Sequence, residues 1–249
     1  MLFRSIAKKF AISRESQDAF ALESHNRVLK NREKLREEIM TVFLPPKYEK
    51  WVQDDNGVRE NLTIEQLAKL KPVFDRRSGT VTAGNSSQIT DGACALLMIE
   101  EEKAKSLGYE ILGTIAAYDY VGLEPSEMGL GPAFAIEKLL RRTGRKLSEI
   151  QLFEINEAFA VQILACAEAM ASQKFAEEYF PGKQALGQMD LNLLNVNGGG
   201  IALGHPVGVS GARLVLTCLK EMKRRNLHLG LVSLCIGGGQ GGAILLERK

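Results

Sequence analysis

Apolar residues recur at helical spacing between charged positions over residues 14–40. The pattern predicts an amphipathic helix, and Ser13 is suited to cap it because its hydroxyl can accept a free backbone N–H. The next forty residues are irregular, apart from a short helix predicted around "TIEQLAKL". We interpret them as an excursion rather than an independent core. The predicted apolar stripe of the helix consists of Ala19, Leu22, Val28, Leu29, Leu35 and Ile39.

The chain changes character from Ser87 onward. The segment "DGACALLMIEEEKAKSLG", residues 91–108, begins with small and apolar residues and ends with charged ones before Gly108. We predict one helix here, buried at its start and solvated at its end.

After residue 110, strand-like and helix-like segments alternate. Three helices are predicted, in "GPAFAIEKLLRRTG", "EAFAVQILACAEAMASQ" and "GVSGARLVLTCLKEMKRRN". The five predicted strands are "ILGTIAAYDYVG", "IQLFEIN", "LNLLNV", "LGLVSLCIG" and "GGAILLER". This order predicts an α/β fold with a mostly parallel five-stranded sheet, covering helices and an antiparallel closing strand.

Candidate chemistry gathers where the predicted strands end. Asn156, the stretch 195–205 and Cys235 each follow a predicted strand. Ligands of such sheets bind at the carboxyl ends of the strands, so these positions predict a common site.

Composition excludes several classes of function. With 249 residues and a net charge of +2, the chain shows neither a nucleic-acid surface nor a run long and apolar enough for a membrane span. The four cysteines are widely spaced, so no disulfide framework and no metal site is expected, and a reducing compartment, most simply the cytoplasm, fits best. These cysteines are Cys94, Cys166, Cys218 and Cys235.

One of the three histidines lies in a glycine-rich run, "GGGIALGHPVGVSG", residues 198–211. A loop that needs unusual backbone angles is one explanation. The alternative is a site in which glycines let a ligand approach while the imidazole of His205, whose ordinary pKa is about 6.5, moves a proton. We favour the site for His205, and we interpret His25, on a charged helix, and His228, in a polar turn, as structural.

Three motifs in order, "NEAFA", "NVNGGGIALGHPVGVSGAR" and "CIGGGQGGA", strongly resemble the thiolase family of acyl-CoA acetyltransferases. Other segments resemble the family as well, so the similarity covers essentially the whole chain. The resemblance implies a thiolase-like fold and acyl transfer between a thioester and coenzyme A (CoA). The reaction is thiolytic cleavage of a 3-ketoacyl-CoA to acetyl-CoA and a shortened acyl-CoA, or the reverse Claisen condensation.

The resemblance also implies roles for four residues. His205 takes the proton of a nucleophilic thiol, and Cys235 is an acid/base thiol that moves a proton at the acyl α-carbon or the leaving thiol. The backbone N–H of Gly237 donates to an oxyanion. Asn156 positions a water beside the thioester oxygen, although it could also cap a helix starting at Glu157, itself interpreted as structural.

By the same resemblance, Ser87 lies against the pantetheine arm of CoA and Arg59 near its nucleotide end. CoA and acyl-CoA are then substrates, and no tightly bound cofactor is expected. The glycines 237, 239 and 242 also satisfy G-x-G-x-x-G, but a strand rather than a helix is predicted to follow, so we do not expect a dinucleotide site.

The family's nucleophilic cysteine belongs to an N-terminal half, and by resemblance this sequence starts after it. We interpret Cys94 as a packing residue. The expected division is a helical and irregular loop-region remainder in 1–80, the last segment of a first core domain in 81–110, and a C-terminal core domain in 111–249. We expect a homo-oligomer, a partner that supplies the missing half, or a subunit of a β-oxidation complex. The alternative to an enzyme is a truncated or partner-completed domain with a structural or CoA-binding role.

Overall fold

The computed structural model describes the backbone of residues 2–248, with side chains from residue 5 onward. One mixed sheet carries helices on both faces, and a largely helical region precedes it. The strands are β1 (Val42–Leu44), β2 (Lys50–Val52), β3 (Thr114–Gly122), β4 (Leu152–Ile155), β5 (Leu229–Ile236) and β6 (Gln240–Glu247). The helices are α1 (Leu2–Lys9), α2 (Arg14–Lys30), α3 (Arg32–Arg36), α4 (Ile64–Ala68), α5 (Glu101–Ser106), α6 (Gly131–Thr143), α7 (Ala160–Ala171), α8 (Gln173–Tyr179), α9 (Gly200–Leu203) and α10 (Ser210–Arg225).

The main sheet has four strands in the order β3-β6-β5-β4. The α/β class is confirmed, but only β4 and β5 pair in parallel, and the other two pairings are antiparallel. The prediction of a mostly parallel five-stranded sheet is therefore wrong in its detail. Among the described helices, none is long and apolar enough to cross a membrane.

The predicted strand "LNLLNV" forms a short 3-10 turn instead, with one parallel bridge from Leu194 to Phe153. The side chain of Asn195 explains the difference. Its Oδ1 accepts the N–H of Ile155 at 2.9 Å, and its Nδ2 donates to the Ile155 carbonyl at 2.8 Å. A side-chain amide thus satisfies the edge of β4 that another strand would otherwise pair.

Two apolar clusters cover the two faces of the sheet. Helices α6 and α7 pack on one face, and α10 packs on the other. Helix α6 has Pro132 in its first turn and ends at Gly144, whose φ of 69° is the left-handed conformation of a helix C-cap, as the sequence predicts.

The predicted helix 14–40 is divided into α2 and α3 at Asn31. The predicted cap is confirmed, because the hydroxyl of Ser13 accepts the N–H of Ser16 at 3.1 Å.

The helix predicted over 91–108 is wrong for its first ten residues, since α5 covers Glu101–Ser106 alone. In residues 91–100, Cys94 and Leu96 are half-buried, while Leu97 and Met98 are 75% and 73% exposed. Residues 91–100 form neither a helix nor a strand, because the described residues bury too little of this apolar run to stabilise the packed helix that its composition predicts.

Candidate functional site

Asn156 and Cys235 lie at the carboxyl ends of the neighbouring parallel strands β4 and β5. Ile155 is opposite Ser233 in the sheet, and the N–H of Asn156 donates to the Ser233 carbonyl at 3.0 Å. Cys235 is two residues further along β5, so the structure brings these two predicted residues to one edge of the sheet.

The side chain of Asn156 is fully buried, yet neither its Oδ1 nor its Nδ2 has a hydrogen-bond partner among the described residues. It faces α9, since a Cβ added to Gly200 would lie 3.1 Å from Oδ1. Helix α7 starts at Ala160 and has Phe159 at its cap position, so the alternative of Asn156 as a helix cap is wrong. A buried amide of this kind is suited to hold a water or a ligand atom.

Burial dominates the chemistry of Cys235, which is 6% exposed. It raises the pKa of the thiol to about 11, so this thiol is protonated at neutral pH and can give a proton. The exposed turn after β5 contains Gly237, where an added Cβ would meet no atom within 4 Å. A ligand oxygen can therefore approach the backbone of Gly237 closely.

His205 is half-buried and held at two points. Its backbone N–H donates to the carbonyl of Gln88 at 3.1 Å, and its Nδ1 lies 2.6 Å from the hydroxyl of Ser210. Burial and, to a lesser extent, the charge of Arg213 lower the pKa of the imidazole. A neutral ring oriented through Nδ1 is what a general base at Nε2 requires.

Glu157 joins the elements around the end of β4. Its carboxylate accepts hydrogen bonds from the hydroxyl of Ser24 at 2.6 Å, the amide of Asn195 at 2.8 Å and the N–H of Ile201 at 3.2 Å. These bonds tie α2, the 195 turn and α9 to β4, which agrees with the structural role expected for Glu157.

A cavity of about 350 Å³ lies between α2, α4, α9 and the segments around residues 59 and 86. Arg59 lines it, but Ser87, His205, Asn156 and Cys235 are not among its lining residues. Instead, the N–H of Ser87 donates to the Ala158 carbonyl at 3.0 Å. The lining residues are His25, Arg59, Leu62, Gln66, Leu67, Leu70, Ala83, Gly84, Ser86, Gln88 and Ile201.

Gln88 connects this cavity to His205. Its side-chain Nε2 donates to the Gly57 carbonyl at 2.8 Å, while its backbone carbonyl accepts the N–H of His205. Gln88, His25, Gln66 and Ser86 were not predicted from the sequence as cavity residues. Alternation in an extended segment was the available signal for two of them, because residues 86 and 88 share one side of such a segment and residue 87 lies on the other.

Comparisons by family model and by sequence both match this chain to thiolases. The family model "Thiolase, C-terminal domain" matches residues 109–248, and "Thiolase, N-terminal domain" matches residues 1–102. Among curated proteins, a 3-ketoacyl-CoA thiolase of Pseudoalteromonas translucida is 46% identical over 246 residues, and one of Vibrio cholerae is 44% identical over 246 residues. Each alignment covers 97% of this chain and 56% of the relative.

Solved structures agree with the fold. The acetyl-CoA acetyltransferase of Bacillus anthracis superposes with a TM-score of 0.86 at 39% identity, covering 99% of this chain and 59% of that one. The enzyme of the same name from Syntrophomonas wolfei gives 0.85 at 32% identity, covering 100% and 60%. The thiolase-like fold is confirmed, and the chain spans between half and two thirds of the length of these relatives.

Proposed function

This chain belongs to the thiolase family, and from that premise we propose that it supplies the proton-moving residues for acyl transfer between a 3-ketoacyl-CoA and CoA. The reaction is thiolysis to acetyl-CoA and a shortened acyl-CoA, or the reverse condensation. The most direct support is the position of Gln88. This residue lines the cavity beside Arg59, and its backbone carbonyl accepts the N–H of His205.

In the proposed mechanism His205 accepts the proton of the attacking thiol at Nε2, while Ser210 holds Nδ1. The new thiolate attacks the keto carbon, and the bond between this carbon and the α-carbon breaks. The thiol of Cys235, protonated at neutral pH, gives its proton to the α-carbon that leaves. The Cys235 thiolate then accepts the proton of an incoming CoA thiol, and the CoA thiolate attacks the acyl carbon of the enzyme thioester. The bond from this carbon to the nucleophilic sulfur breaks, and this sulfur takes its proton back from His205, which restores the starting state.

Two further groups act on the developing negative charge. The N–H of Gly237, in a turn open to a ligand, donates to one oxyanion. The unpartnered amide of Asn156 holds a water that, with His205, donates to the thioester oxygen. Each group stabilises the charge that forms during the reaction, which is where catalytic hydrogen bonds count most.

In this proposal the nucleotide end of CoA occupies the cavity beside Arg59, and the pantetheine arm extends beyond the cavity to Ser87, which is not among the lining residues. The exposed guanidinium at the cavity rim is suited to phosphate groups, and the leucines of the wall are suited to apolar parts of the ligand. No tightly bound cofactor is needed for this chemistry.

The nucleophilic cysteine is proposed to come from outside the described residues. Burial raises the pKa of the Cys94 thiol, whereas a nucleophilic thiol is activated by a lowered pKa. In the alternative proposal, the chain is a partner-completed domain that binds CoA without catalysis. An apolar groove of about 650 Å³ between residues 95–101, residues 109–115 and α10 favours this alternative.

Calorimetry with CoA and a steady-state thiolysis assay on the pure chain test the proposal together. We expect CoA to bind and turnover to be negligible. Rapid turnover that is lost in Cys94→Ser, but kept in the control Cys218→Ser, would show that the nucleophile is misplaced. A chain that binds neither CoA nor acyl-CoA would contradict the CoA site.

A further inference from the structure

His25 is buried, although the sequence of its helix contains many charged residues. The residue is 3% exposed on α2, and it lines the cavity together with Arg59. The described elements around the cavity present few other charges, because its remaining lining residues are apolar or neutral. A buried histidine beside an arginine is unusual enough to need a partner for its ring.

That partner is the backbone of Arg59, whose N–H donates to Nδ1 of His25 at 3.2 Å. Nδ1 must therefore be unprotonated, and the proton of the neutral ring belongs on Nε2. Burial, followed by the charge of Arg59, lowers the pKa of His25 to about 4, so the ring keeps this form at neutral pH. On α2 itself, Asp18 is paired with Arg14 and Asn85 and so is already neutralised.

The segment that contains Arg59 is held at two places. Gln88 holds the carbonyl of Gly57, and His25 holds the N–H of Arg59. Gly57 is also pressed against α9, because an added Cβ would lie 2.9 Å from the Ala202 carbonyl. The backbone of this segment is thus fixed on both sides of residue 58, while the guanidinium of Arg59 stays exposed at the cavity rim.

We propose that His25 is a positioning residue of the CoA site, whose unprotonated Nδ1 fixes the backbone of Arg59 so that the guanidinium meets the phosphates of the ligand. The identity of the ligand rests on the proposed function. Without the acceptor, the Arg59 N–H loses its partner and the Arg59 side chain is less ordered in the free chain. Binding of CoA must then order this side chain, and the entropy cost weakens the affinity.

Two variants separate the acceptor from the ring. In His25→Asn the amide Oδ1 can take the place of Nδ1, whereas in His25→Gln the amide oxygen replaces Nε2 instead. We expect His25→Gln to weaken CoA binding by about tenfold and His25→Asn by less than about threefold, which is the scale of one hydrogen bond. Adding His25→Gln to Arg59→Gln should cause little further loss, because both changes act through one cation.

Nitrogen-detected NMR of the imidazoles supplies a readout that does not depend on CoA. The chain has three histidines, so the signal of His25 is identified as the one lost in His25→Asn. We expect Nδ1 to be unprotonated and Nε2 to be protonated from pH 8 down to pH 5. The amide proton of Arg59 should shift in His25→Gln and keep its position in His25→Asn.

Equal affinity of the two variants for CoA, or a protonated Nδ1 in the free chain, would overturn the proposal. If wild-type protein binds no CoA, the proposed function fails, and the NMR experiment still decides whether His25 holds Arg59. If His25→Gln does not fold, titrating CoA into wild type and into His25→Asn decides. A loss of affinity beyond tenfold in His25→Asn contradicts the exchange of acceptors.

Discussion

Glu154 is a fully buried carboxylate on β4 whose two oxygens have no hydrogen-bond partner in the described chain. Arg213 is its nearest cation, with Nη1 at 3.5 Å. Burial outweighs the field of Arg213 and raises the pKa of Glu154 from an ordinary 4.5 to about 8.

This shift predicts how stability depends on pH. The folded chain holds the Glu154 proton more tightly than the unfolded chain, so the free energy of unfolding falls as pH rises from about 4.5 to about 8. The slope from one such group approaches about 1.4 kcal/mol per pH unit. Glu154→Gln should reduce this slope, as measured by urea unfolding at pH 5, 6.5 and 8.

The control is Glu168→Gln, an exposed glutamate on α7 that loses the same charge. We expect it to leave the pH dependence unchanged. Identical slopes in wild type and Glu154→Gln would mean that Glu154 is already ionised at pH 5.

Gly199 lies directly against the carboxylate of Glu157. A Cβ here would lie 2.4 Å from Cδ of Glu157, and that carboxylate is held by three hydrogen bonds and cannot move aside. Gly199→Ala should cost about 1–3 kcal/mol, the usual range for overpacking, and lower the melting temperature by several degrees.

Gly208, nine residues further on, is the matched control because an added Cβ meets nothing within 4 Å. Thermal unfolding of Gly208→Ala should match wild type. A similar melting temperature for both alanine variants would show that the backbone near Glu157 adjusts freely.

Asn195 takes the place of a neighbouring strand at the edge of β4. Its amide makes two hydrogen bonds to the backbone of Ile155 and one to Glu157. In Asn195→Leu these three buried groups lose their partner, and leucine must also adopt the left-handed φ of 45° at this position. We expect the free energy of unfolding to fall by about 3 kcal/mol or more. The comparison is Asn192→Leu, an exposed asparagine of the same turn, in equilibrium urea unfolding. An equal effect of the two changes would contradict the role of Asn195.

The same contrast shows which elements the sequence could predict. Helix α6 carries its own signals, Pro132 at the start and Gly144 at the end, and it is where we predicted it. The 191–196 segment has the composition of a strand, but its conformation depends on an asparagine bonding to β4, forty positions away in sequence. Local composition contains no information about that contact.

The candidate site divides in the same way. The strand pattern placed Asn156 and Cys235 at the ends of two predicted strands, and the structure shows that these strands, β4 and β5, are neighbours. The burial of His25 beside the cavity was not predicted, because it arises from the packing of α2 over the cavity rather than from any local pattern. The catalytic roles of the site residues, the contacts of Ser87 with CoA, and the division at residues 80 and 110 remain predictions.

Among the described residues, large apolar side chains are exposed at several places, and two of these are candidates for association between chains. One is the hairpin β1–β2, where the rings of Phe43 and Trp51 lie 6.4 Å apart and both are more than half exposed. The other is the 650 Å³ groove beside Leu97 and Met98. Contiguous exposed apolar surface promotes association, because pairing removes it from water.

We therefore predict that the pure chain associates with itself. Light scattering after size-exclusion chromatography should give a mass above that of one chain, increasing with concentration. Leu97→Lys combined with Met98→Lys places two charges at the groove and should lower this mass, because a charge is costly to bury without a partner. Val207→Lys is the control, since residue 207 is 78% exposed outside the groove.

The hairpin supplies the discriminating comparison. If Trp51→Lys lowers the mass and the groove variant does not, copies of the chain pair through β1–β2, and the groove is free for another polypeptide. If only the groove variant dissociates the assembly, the groove itself is the contact between copies, and a partner that completes the domain would have to compete with self-association. A chain that is monomeric at every concentration would contradict the predicted homo-oligomer, because neither apolar region would then bury enough surface to hold two copies together.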